Sequence, residues 1–225
     1  MSSSWIAEAA AVFAKDWRCE LRAKHAITTL GLFAVTSLVV ASLALGPVGI
    51  REEERIAFAP VLIWLILLFS TAAGLPRAFV HEEESHTATA LRLAATPSAL
   101  FAGKAAYTFS VLAAVEAAVA PLATALLQID VARPGLLLAV LALGGFGLAL
   151  ASTLLAAIVA QGRGRTTLFA ALAFPVLVPL LALAVAITRA AFGAPLQEGI
   201  LIQLVLYDAT VTVAGLMLFP AVWNP

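Results

Sequence analysis

The residues best suited to chemistry lie between Arg77 and Lys104, where RAFVHEEESHTATALRLAATPSALFAGK interrupts an almost continuously apolar sequence. His81-Glu82-Glu83-Glu84-Ser85-His86 invites comparison with the zinc-protease HExxH helix. That motif needs histidines at i and i+4 on one helical face; here they stand at i and i+5, about 140° apart on a helix. With no third ligand in evidence, the stretch reads as a charged surface and no metal is expected. A Walker A loop is missing too: Gly103-Lys104 is followed by Ala105, and Ser98 stands where the first glycine belongs. The chain is therefore not expected to hydrolyse ATP by itself, and no residue is expected to be catalytic. No CxxCH haem-attachment motif occurs.

Two carboxylates fall inside apolar runs, Glu116 and Asp208. Such groups are costly in lipid and face the interior of a helix bundle, where something passes or a partner is bonded. A protonated Glu116 bonded to a neighbouring helix would need no transport role, so both readings stay open. Gly144-Gly145-Phe146-Gly147 reads as a site of close helix packing. Pro175 and Pro179 fall within one apolar run and predict a kink or break there.

The elements that must position these residues follow from composition. Of 225 residues, 63% are hydrophobic and 12% charged, and the mean hydropathy is +1.04. Soluble domains are about half apolar and a quarter charged. The apolar residues gather in six runs of about 20, the length that crosses a bilayer as helix. They are Ala26–Val48, Ala57–Pro76, Ala105–Leu127, Gly135–Ala160, Thr167–Arg189 and Ile200–Val222. This is the sequence of an all-α integral membrane protein with six transmembrane helices.

Ahead of them, Trp5, Ala9, Phe13, Trp17 and Leu21 recur every four residues and predict an amphipathic helix at the water–lipid boundary, the alternative being a solvated helix packed on a partner. Two units result: residues 1–25 as an interfacial helix, and residues 26–225 as a six-helix domain with a loop at 77–104. The first twenty residues do not read as a signal peptide, because charges interrupt them. Net charge is zero, and nothing suggests nucleic acid as a partner.

Lys15, Arg18, Arg22, Lys24, Arg77, Arg92, Lys104, Arg163 and Arg165 fall on one side of this arrangement. Arg51, Arg55, Arg133 and Arg189 fall on the other. Nine against four places both termini and the 77–104 loop in the cytoplasm. Thr96-Pro97 is an N-cap and N1 pair, so the third helix begins ahead of its apolar run. Within Glu82–Ala95, Ala88, Leu91 and Ala95 share one face of a short helix.

These stretches carry a family resemblance. Pro60-Val61-Leu62-Ile63-Trp64 through Arg77-Ala78-Phe79-Val80-His81-Glu82-Glu83-Glu84 resembles the second span and cytoplasmic loop of the haem exporter protein B family. Thr96-Pro97-Ser98 to Gly103-Lys104 resembles that family's lead-in to its third span. Gly162-Arg163-Gly164-Arg165 to Phe174-Pro175-Val176-Leu177-Val178-Pro179-Leu180 is similar to its basic glycine turn and following helix. Asp16-Trp17-Arg18-Cys19-Glu20-Leu21-Arg22 also fits. Thr87-Ala88-Thr89-Ala90 departs from the family's Gly-Ser-Leu-Glu-like turn.

The resemblance implies an export-type ABC permease of the cytoplasmic (inner) membrane, serving cytochrome c maturation. A separate P-loop ATPase carrying ATP and Mg would dock on a loop formed by Arg77, His81, Glu82, Glu83, Glu84, Leu91 and Arg92. A second copy or a sister membrane subunit would complete it, with haem as the candidate substrate rather than a bound cofactor. Two other classes remain: a secondary transporter using Glu116 or Asp208 as an ion site, and a membrane scaffold without transport.

Overall fold

The computed structural model describes residues 4–23, 25–45, 51–74, 91, 93–161 and 165–223. Their regular structure is entirely helical: α1 (Trp5–Ala23), α2 (His25–Leu45), α3 (Glu52–Gly74), α4 (Pro97–Leu126), α5 (Pro134–Gln161), α6 (Arg165–Ala191) and α7 (Ile200–Trp223). Helices α2 to α7 coincide with the six apolar runs. Four contain stretches long and apolar enough to cross a membrane: Glu52–Thr71, Pro97–Leu126, Pro134–Val159 and Ile200–Trp223. Thr28–Leu43 and Pro175–Ala191 are shorter apolar helical stretches. The most enclosed span is that of α5, which packs against α3, α4, α6 and α7.

Helix α4 starts where Thr96-Pro97 predicts. Thr96 is the extended N-cap, Pro97 follows at the first helical position, and the Thr96 hydroxyl does not cap its own helix. The cap comes instead from α1. Oε2 of Glu8 accepts hydrogen bonds from the Thr96 amide at 2.9 Å and from its hydroxyl at 2.8 Å. A capping box uses a glutamate three residues into the same helix for this purpose. Here a different helix supplies it.

From there α1 follows the first three turns of α4 in the same direction. The Trp5 indole donates to Ser98 Oγ at 3.0 Å, Asp16 meets Lys104 at 3.3 Å, and the Tyr107 hydroxyl donates to Glu20 at 3.2 Å. Gly103 lets the backbones approach, since a Cβ there would lie 2.6 Å from the Ala9 carbonyl. Val12, Asp16 and Glu20 line the packing face together with the middle of the aromatic stripe, for Phe13 and Trp17 pack against the core and Trp17 meets Tyr107 edge-on. Glu20 is buried while Trp5 and Leu21 are exposed. Each four-residue step advances about 40° around a helix, so the two ends of the stripe, Trp5 and Leu21, stand roughly 160° apart.

At the opposite end of the bundle, α4 and α6 both finish in Schellman caps. Ile129 and Gln128 donate to the Thr124 and Ala125 carbonyls, with Gln128 in the left-handed region at φ 52°. Ala194 and Gly193 donate to the Arg189 and Ala190 carbonyls, with Gly193 at φ 117°. In each cap the C′ and C″ amides meet the C2 and C3 carbonyls. An arginine closes each one further. Arg55 Nη1 donates to the Gln128 carbonyl at 3.2 Å and to that of Leu127 at 3.4 Å. Arg133 Nη1 donates to the Ala190 carbonyl at 2.8 Å and to that of Ala194 at 3.1 Å. Replacing Arg133 by Ala removes two charge-assisted bonds to helix-end carbonyls and should cost about 1–3 kcal/mol. Thermal unfolding in detergent will read it as a lowered Tm, with Arg133→Lys in between.

Candidate functional site

Helix α5 places three glycines within one turn, and each receives a side chain from a different helix. Gly144 faces the ring of Trp64 from α3, Gly145 faces the Glu116 carboxyl from α4, and Gly147 faces the Asp208 carboxyl from α7. A Cβ on Gly145 would lie 2.5 Å from Glu116 Oε1. The Gly-Gly-Phe-Gly run therefore does allow close packing, but side chains rather than backbones fill the space it leaves.

The three guests are satisfied differently. The Trp64 indole donates to Thr188 Oγ1 at 2.9 Å, and Thr188 donates to the Ala184 carbonyl at 2.7 Å. Glu116 and Asp208 are each 4% exposed. Among the described residues, Glu116 Oε1 and both Asp208 oxygens have no hydrogen-bond partner. Gly145 and Gly147 point about 200° apart on the α5 wheel, so the carboxyls approach opposite sides of that helix. They do not form an acid–base pair.

Helix α6 runs without interruption through Pro175 and Pro179, so these prolines do not break it. Pro179 has no N–H to offer the Pro175 carbonyl. In the same turn, the Val176 carbonyl accepts a hydrogen bond from the Tyr207 hydroxyl of α7. Prolines inside helices are not peculiar to α6. Pro60 lies within α3, Pro121 within α4 and Pro220 within α7.

Of the loop residues singled out in the sequence, Arg77, His81, Glu82, Glu83, Glu84 and Arg92 lie outside the described residues. Leu91 and Ala95 pack against the apolar core, two of the three residues read as one face of Glu82–Ala95. The polar seam between α1 and α4 lies directly beyond them in sequence, and sequence reasoning missed it. Its signal is a register. Glu8, Asp16 and Glu20 on α1 answer Thr96, Lys104 and Tyr107 on α4, pairs that stand 88, 88 and 87 residues apart. Lys104 is only 2% exposed, so its charge is carried inside the structure.

The model of the CcmB protein family matches residues 7–222. The chain belongs to the CcmB protein family. This family consists of membrane permease subunits of ABC transporters for haem export and cytochrome c biogenesis. A member of it is a transport subunit embedded in a membrane, in keeping with the apolar helices. The match begins inside α1 and ends inside α7, so the helix before the spans belongs to the family's common unit. No curated protein matches the chain closely.

The glycine turn gives a direct test. In Gly144→Ala the new methyl meets the Trp64 indole, which is fully buried. The loss should be about 1–3 kcal/mol. Trp64→Phe in the same background should recover part of it, and the coupling in a double-mutant cycle measures the contact.

Proposed function

We propose that the chain is the permease subunit of an ABC transporter serving cytochrome c maturation. In this reading six helices cross the cytoplasmic membrane with both termini on the cytoplasmic side. The exposed Ile6, Leu21, Arg18 and Arg22 of α1 then meet the water–lipid boundary. A second copy or a sister membrane subunit completes the pore. A separate P-loop ATPase supplies ATP and Mg and docks on the 77–104 stretch. There Glu82, Glu83 and Glu84 meet basic groups or helix N-termini of the ATPase, framed by Arg77, His81, Leu91 and Arg92. Haem, or a haem-loaded chaperone, is what ATP turnover moves or releases.

The observation that carries this reading is the family match across residues 7–222. The seam supports a route for the stroke. A pull on residues 77–95 reaches α4 through Thr96-Pro97, and Glu8, bonded to Thr96, passes it to α1.

The test is purification of the tagged chain in mild detergent with ATPase turnover and bound proteins recorded together. A P-loop ATPase should accompany the chain, and reversing Glu82, Glu83 and Glu84 to Lys should release it while the permease stays inserted. Unchanged co-purification of the reversed variant refutes the docking loop. Recovery of the chain without an ATPase, together with transport driven by a pH gradient alone, refutes the ABC reading.

A further inference from the structure

Asp208 is a titratable group to which the transport reading gives no task. It stands eight residues into α7, about 12 Å along that helix, with both carboxyl oxygens buried and without a donor among the described residues. Helices α4, α5 and α6 pack against α7, and the one cation of α4, Lys104, is held by Asp16. From α5 comes Gly147, which has no side chain, and from α6 comes Leu180, whose Cδ1 lies 3.0 Å from where a Gly147 Cβ would stand. On its own helix, the Tyr207 hydroxyl is turned to the Val176 carbonyl. Glu116 reaches α5 from the far side, at Gly145. The nearest cation along α6, Arg189, is exposed and nine residues beyond Leu180, about 14 Å of helix rise. Burying a polar group without a partner carries a cost, and among the described residues Asp208 meets no donor that offsets it.

We propose that Asp208 is a proton-binding site of the bundle, closed by α5, α6 and α7 and opened at the proline turn of α6. When closed, the acid keeps its proton. When α7 draws away from the Pro175–Pro179 turn, water enters and the carboxyl O–H bond breaks. The proton passes to water and the electron pair stays on the carboxylate; closure reverses the step. The turn is the deformable part of α6, because Pro179 contributes no backbone donor to it. Tyr207, the residue beside the acid, fastens that turn to α7 through Val176. The inference rests on this geometry and holds whether or not an ATPase binds.

The chain has three aspartates, Asp16, Asp130 and Asp208, which makes the site addressable by isotope. Asp16 is paired with Lys104, and Asp130 is exposed. The full chain, labelled with carbon-13 at the aspartate side-chain carboxyl, is placed in lipid bilayers and its infrared spectrum recorded at pH 7. One labelled neutral-acid carbonyl band is expected, and it should be absent from Asp208→Asn. Three carboxylates and no acid band overturn the proposal, as does an acid band that survives Asp208→Asn. Should that variant fail to insert, the double variant Asp16→Asn, Asp130→Asn assigns the band by subtraction. Persistence supports Asp208 and loss overturns it. In heavy water the band should exchange about fivefold faster in Tyr207→Phe, the effect of one lost hydrogen bond. An unchanged exchange rate overturns the part given to the α6 turn.

Discussion

Three glycines in one turn of α5 leave space that an indole from α3, a carboxyl from α4 and a carboxyl from α7 all enter. With any larger residue at those positions, the neighbouring helices would have to stand off, and the bundle would lose its centre. In a bilayer the gain from close packing is dispersion and polar contact, since lipid chains are as apolar as leucine. The glycines therefore settle how near α3, α4 and α7 come to α5. They also set the level at which two acids are enclosed.

The ends of the bundle obey a different constraint. A helix leaves its last four carbonyls and first four amides without partners. At one end, Schellman turns and the guanidinium groups of Arg55 and Arg133 gather the carbonyls. At the other, Glu8 of α1 meets the amide and hydroxyl at the start of α4. Charges of each sign thus sit where the helix dipole favours them, positive at C-termini and negative at an N-terminus.

The apolar runs made the six bundle helices legible, and Thr96-Pro97 fixed the start of α4 to the residue. Glu116 and Asp208 were legible as intramembrane acids, because a charged letter inside an apolar run is unmistakable. Their separation around α5 was not, since nothing in a one-dimensional string says which glycine each acid meets. The α1 stripe announced a helix, whose middle residues Phe13 and Trp17 pack against the core while its ends, Trp5 and Leu21, are exposed. The α1–α4 seam was illegible because its members are polar residues on two elements separated by about ninety positions. The sequence reading of the acidic loop concerned residues outside those described.

That separation has a consequence for how the chain is made. Asp16 leaves the ribosome 88 residues before Lys104, and Glu8 leaves as far ahead of Thr96. At about 5–20 residues per second, the interval is roughly 4–18 s. During it, α1 carries three carboxylates whose α4 partners do not yet exist, while α2 and α3 have already been made. Helix α1 can therefore complete its seam only once the start of α4 has appeared.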